Sequence, residues 1–162
     1  MKKLIFVSVF LFGIVFTTSA QDIARNALGV RLGDNDGFGG ELSYQHELGE
    51  MTRLELDLGF RDRANKDNAF KLTGIYQWVW NIDGGFNWYA GLGAGVGSWN
   101  DNSNLGRNDG LFLNADANIG IEYDFDIPLL ISIDFRPEFG ITGDYGKDDT
   151  SLDLALSLRY QF

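Results

Sequence analysis

The chain carries a single histidine, His46, and general acid or base catalysis at neutral pH would look there first. His46 shares strand parity with Leu42 and Tyr44, which sets it on an apolar face, and the sequence places no serine beside it on that face. It reads as an interfacial residue rather than a catalytic one. Glu55 and Asp57 have the two-residue spacing that puts two carboxylates on one face of a strand. Arg53 and Arg61 share that face, so the acids read as ion-pair partners and not as an acid/base dyad.

Two further motifs invite a ligand and fail on spacing. In "GLGAGVG", residues 91–97, a dinucleotide or phosphate loop would need glycine where Val96 stands, and no helical pattern follows. The glycines 91, 93, 95 and 97 instead share one face of a strand, where missing side chains leave room for arginines from neighbouring strands. In "GDNDG", residues 33–37, an EF-hand with Gly37 at its sixth position would begin on Leu32. With "GKDD" at 146–149, these are acidic turns: solvated loops, with a divalent-cation bridge to anionic lipopolysaccharide as the alternative. No cofactor is expected.

What positions these residues is a repeated period of two. Apolar and polar residues alternate along most of the chain, and clusters of Gly, Asn and Asp interrupt them at 33–37, 48–50, 64–68, 82–85, 101–110, 126–128 and 143–150. Seven turns imply eight strands, expected at about 24–33, 38–48, 51–63, 68–82, 85–100, 111–126, 129–144 and 151–162. Most exceed a soluble strand and match the 9–11 residues, plus overhang, of a tilted membrane strand. Tight turns at Gly49-Glu50, Asp83-Gly84 and Ile127-Pro128 alternate with mostly longer loops, the asymmetry of periplasmic and external ends.

The N-terminus reads "MKKLIFVSVFLFGIVFTTSAQ": two lysines, an apolar run from Leu4 to Phe16, then small residues to Ala20. That is the order of a signal peptide, residues 1–20, which leaves one barrel domain over 21–162. Losing Lys2 and Lys3 moves the formal net charge from −10 to −12, a poor match for nucleic acid. The absence of cysteine means that no disulfide staples the fold.

Parity assigns the faces. The expected third strand sets Leu54, Leu56, Leu58 and Phe60 against Arg53, Glu55, Asp57 and Arg61; the seventh sets Ile131, Ile133, Phe135 and Phe139 against Ser132, Asp134, Arg136 and Glu138. A soluble β-domain would alternate likewise, but it has no reason to sort aromatics by height. Here Tyr44, Trp78, Trp80, Phe86, Trp88, Tyr123, Phe125, Tyr160 and Phe162 fall near the short turns or the C-terminus. Phe38, Phe60, Phe70 and Phe139 fall near the opposite loops. Two aromatic girdles flanking an aliphatic band describe a lipid-facing exterior. The other face then points into a narrow lumen, and Arg53, Glu55, Asp57, Glu122, Asp134, Arg136, Glu138, Asp153 and Arg159 are expected to pair there with Arg31, Arg61, Lys71, Glu41, Glu47 and Asp116.

The signal peptide, the eight alternating strands, "WYAGLGAGVG" at 88–97 and the terminal "LSLRYQF" resemble the small outer-membrane β-barrel families, the OmpA-like and OmpX-like eight-stranded proteins. The resemblance implies an all-β, eight-stranded antiparallel up-and-down barrel in a Gram-negative outer membrane, with both mature termini periplasmic. It also implies that Leu154, Leu156, Leu158, Tyr160 and Phe162 form the signal read by the outer-membrane assembly machinery. The expected partners are that machinery, membrane lipid and lipopolysaccharide, for a monomer without enzymatic activity. A narrow cation-leaning channel and a lipid-modifying enzyme are the alternatives. Appending polar residues after Phe162 is predicted to lower the membrane-inserted fraction, measured by heat-modifiable gel migration, more than substitution within any external loop does.

Overall fold

The computed structural model describes residues 23–33, 39–63, 67–101, 108–142 and 150–162; the signal peptide expected at 1–20 lies outside them. Eight strands run in sequence order: β1 (Asn26–Leu32), β2 (Gly40–Gly49), β3 (Thr52–Arg63), β4 (Asp67–Asp83), β5 (Phe86–Asp101), β6 (Asn108–Asp124), β7 (Leu129–Thr142) and β8 (Thr150–Gln161). Each pairs antiparallel with its neighbour, and β1 pairs with β8, so the sheet closes into a barrel. Closure matters because a sheet in lipid must pair its own backbone groups and leave no edge. At the seam Asn26 N donates to the carbonyl of Phe162 (3.2 Å), and Phe162 N donates to that of Asn26 (2.9 Å).

The expected strands match within a few residues, with one larger difference. Strand β6 starts at Asn108, because Asn100↔Asp109 and Asp101↔Asn108 extend the ladder into the stretch expected to be loop. The tight β4–β5 turn relies on Gly84, whose φ of 53° lies in the left-handed region that glycine tolerates. The Asn81 side-chain amide holds this turn, donating to the carbonyls of Gly84 (3.0 Å) and Phe86 (3.1 Å).

Burial is inverted relative to a soluble protein. Leu154, Leu156 and Leu158 of β8 and Ile119 and Ile121 of β6 are all exposed, while Arg136, Arg159, Asp57 and Gln77 are fully buried. Alternate residues of each strand therefore meet lipid and lumen in turn. The lumen is not uniformly charged. Ile75 and Val79 of β4, Tyr89 of β5, Phe112 of β6 and Leu130 of β7 also point inward and are buried. The space over the β5 glycines is taken by neutral side chains and not by arginines, which corrects the expectation from "GLGAGVG". Ile75 and Gln77 lie against Gly91, Ile75 against Gly93, the Asn114 amide against Gly95 and the Phe112 ring against Gly97. The arginines reach instead for acids, amides and hydroxyls, on adjacent strands as Arg31 does at Glu41 and across the barrel as Arg136 does at Asp57.

At Gly93 a Cβ would run into the Gly74 carbonyl and the Ile75 backbone, whereas at Gly40 it would meet only Leu32 Cδ2 at 3.9 Å. Gly93→Val is expected to destabilise the barrel by about 1–3 kcal/mol through overpacking. Gly40→Ala should leave it nearly unchanged, both read as urea unfolding midpoints in lipid vesicles.

Candidate functional site: the charged lumen

Arg31 enters the lumen from β1 and is held from three strands. Its Nη1 lies 2.9 Å from Glu41 Oε2 of β2 and 2.6 Å from Asp153 Oδ2 of β8, and its Nη2 lies 2.6 Å from Asp134 Oδ1 of β7. Arg136 crosses from β7 to the opposite wall. Its Nη2 meets Asp57 Oδ2 at 2.5 Å and Glu55 Oε1 at 2.9 Å on β3, and its Nη1 lies 3.4 Å from Glu41 Oε2. Arg159 of β8 donates to Glu55 Oε2 (3.0 Å), Ser43 Oγ (2.9 Å) and Ser132 Oγ (2.9 Å). Glu41 and Glu55 are thus shared, which strings Arg31, Arg136 and Arg159 into one chain across the barrel.

Two further cations join it. Lys71 Nζ of β4 lies 2.7 Å from Glu138 Oε1 and 3.9 Å from Glu41 Oε1. Arg53 of β3 grips Glu122 of β6 with both terminal nitrogens (3.0 and 2.7 Å), the two-pronged geometry of a strong pair. Its Nε donates to Gln77 Oε1 (2.6 Å), and its guanidinium sits 4.8 Å from the centre of the Tyr89 ring. Gln77 passes the connection to Asn118 (3.0 Å), which donates to Asp134 (3.2 Å) and so reaches Arg31. The result is one hydrogen-bonded network that spans the lumen from wall to wall.

The nine lumen residues expected from parity, Arg53, Glu55, Asp57, Glu122, Asp134, Arg136, Glu138, Asp153 and Arg159, are all buried and in ion-pair contact. Glu47 sits only half-buried at the rim, and the side chain of Arg61 lies outside the described residues. The network also takes in the neutral Ser43, Gln45, which donates to Glu55 (2.6 Å), and Gln77, none of which the charge pattern singles out, together with Asn118 and Ser132. Their inward parity marks them, but an uncharged amide or hydroxyl carries no signal of its own until a guanidinium faces it.

Near the short-turn end the expected girdle aromatics pack in pairs: Trp80 stacks on Trp88 (ring centres 4.3 Å apart), and Tyr123 stands edge-on to Phe125 (4.6 Å). Trp78 meets Tyr76 (4.9 Å), an aromatic the girdle assignment did not include. Tyr44 donates to Asn26 Oδ1 (2.7 Å), and Phe38 lies outside the described residues. His46 is exposed on the exterior, 3.0 Å through Nδ1 from the same Asn26 Oδ1 and stacked on Tyr44. Leu154, Leu156, Leu158, Tyr160 and Phe162 form one exposed ridge along β8.

A closed eight-stranded antiparallel barrel with an apolar exterior and a polar, filled interior is the fold of the small outer-membrane β-barrels. Among solved structures the chain is similar to the N-terminal β-barrel domain of Pseudomonas aeruginosa OprF, at 13% identity over 88% of this chain and 100% of that chain, with a TM-score of 0.66. It is also similar to Neisserial surface protein A (NspA), at 9% identity over 85% of this chain and 94% of that one, TM-score 0.62. A third is Ail, the attachment invasion locus protein of Yersinia pestis, at 16% identity over 85% and 96% of the two chains, TM-score 0.51. At these identities the likeness is one of fold. No protein-family model matches the chain, and no curated protein does.

Removing one partner from a buried ion pair strands the other charge, at a cost of about 3–5 kcal/mol. Arg136→Ala strands Asp57 together with parts of Glu41 and Glu55, and is expected to lose stability in that range. Ser132→Ala removes only one acceptor from Arg159 and should cost about 1 kcal/mol. Both are read from urea unfolding of the barrel in lipid vesicles.

Proposed function

We propose that this protein is a non-enzymatic integral β-barrel of a Gram-negative outer membrane, monomeric, with both mature termini in the periplasm. It serves as a structural element or as a scaffold for short surface loops, and its lumen is plugged by its own charged side chains. The observation that carries this reading is the network linking Arg31, Arg136, Arg159, Arg53 and Lys71 across the full width of the lumen. Side chains fill the interior of a barrel this small, and here the fillers are locked by paired charges rather than loosely packed. The partners this reading implies are outer-membrane lipid, lipopolysaccharide and, during biogenesis, the assembly machinery that takes the Leu154, Leu156, Leu158, Tyr160 and Phe162 ridge as its signal. Nucleic acid is not among them.

The acid surplus of the lumen favours one competing reading, a narrow cation-leaning channel. Planar-bilayer recording separates the two. The plugged barrel should show no stable unit conductance, and steady openings that change in Arg136→Ala would replace this reading with the channel. Lipid A from cells bearing the protein should keep its mass; a lost acyl chain restored by His46→Ala would assign an enzyme instead.

A further inference from the structure

Strand β1 presents Asn26, Leu28 and Val30 to the exterior, and the strands on either side flank them with rings. Leu28 pairs in register with Tyr44 of β2 and with Tyr160 of β8, and Asn26 pairs with His46 of β2. Tyr44 stacks on His46 (ring centres 6.4 Å apart), and Tyr160 stacks on Phe162 (6.3 Å). Between these two aromatic pairs Leu28 stays 43% exposed and Val30 beyond it 46%. An apolar strip thus runs along β1 from the aromatic belt, which sits at headgroup depth, into the hydrocarbon band.

At the head of the strip lies a polar cluster ordered by Asn26. Its amide nitrogen donates to the Phe162 carbonyl (3.4 Å), which turns the amide oxygen toward β2. That oxygen accepts from the Tyr44 hydroxyl (2.7 Å) and lies 3.0 Å from His46 Nδ1. An amide oxygen only accepts, so Nδ1 carries the proton between them. With that ring proton placed, Nε2 is left as an acceptor on an exposed ring, with no partner among the described residues.

Arg25 stands beside this cluster. Its carbonyl accepts from Glu47 N (3.0 Å), which ties its backbone against the residue that follows His46. Arg25 is exposed and in no ion pair among the described residues. A free guanidinium and an open nitrogen acceptor at headgroup depth complement a zwitterion: phosphate for the first, an ammonium with N–H to give for the second. A choline headgroup carries the same charge but has no N–H. We propose that β1 holds an ethanolamine phospholipid, with an acyl chain along Leu28 and Val30, its ammonium on His46 Nε2 and its phosphate on Arg25. This rests on the membrane-barrel reading above, which sets the short-turn end of the strands at a bilayer interface.

The test uses the full mature chain, folded in detergent micelles and supplied with equal amounts of ethanolamine and choline phospholipids that share the same acyl chains. Native mass spectrometry then counts the lipids that each barrel retains. The ethanolamine lipid is expected to be favoured roughly tenfold, as a charge-assisted hydrogen bond implies. His46→Phe keeps the aromatic surface and should abolish the preference, while Arg25→Gln should lower retention of both lipids. Equal retention of the two lipids by the unaltered protein overturns the proposal, and so does a preference that survives His46→Phe. Heat-modifiable migration of the same samples reads the barrel itself, so a failed barrel and a failed lipid site give different results.

Discussion

Everything in this molecule follows from the demand that a backbone in hydrocarbon pair all of its own N–H and C=O groups. A flat sheet fails that demand at its two edges, and joining β1 to β8 removes them. Once the sheet is closed, pleating does the rest. Each strand must offer one row of side chains to lipid and the other to an interior of small, fixed diameter. The aliphatic exterior and the crowded polar interior are two results of one geometric act.

The interior then faces a problem of its own. Charges taken out of water must be matched in place, and the match here is made across the barrel rather than along it. Glu41 touches Arg31, Arg136 and Lys71, which come from three different strands. Such sharing ties opposite walls together, so the network acts as cross-bracing as well as charge compensation. The β4–β6 side contributes fewer charges and more bulk, with Ile75 and Phe112 filling what the glycines of β5 leave open and Tyr89 lying against Gly120 of β6. The lumen is therefore a charged half packed against a largely neutral one.

Strand positions and face assignments were legible in the sequence because alternation is a local property: Leu54 and Glu55 declare opposite faces without reference to anything distant. The pairings inside the lumen were not legible. Arg31 and Asp134 lie 103 residues apart, and whether they meet depends on how far each strand is staggered against the next. That stagger accumulates around the barrel and is set by small irregularities such as the register shifts after Glu47 and at Leu113/Asn114. The inward apolar residues escaped for another reason. Phe112 and Leu130 have the parity of the lumen but the chemistry of the exterior, and near a strand end the two cues conflict. The start of β6 was misplaced because Asn and Asp favour turns locally, while an already long β5 offered a partner to extend against.

The seam between the first and last strands has a consequence for the order in which the barrel forms. Asn26 and Phe162, which close it, are 136 residues apart, whereas every other pairing joins chain neighbours through a loop or turn. Hairpins can form as soon as their own strands are in place, but this contact waits until nearly the whole chain has been arranged, and contacts of such separation slow folding. Strand β1 is also the shortest, at 7 residues, so little ladder is available to draw its distant partner in. The last step of assembly is thus the one with the longest search and the smallest immediate gain. Until it is complete, two unpaired edges face the bilayer, so the seam carries the largest loop-closure cost of any pairing in the sheet.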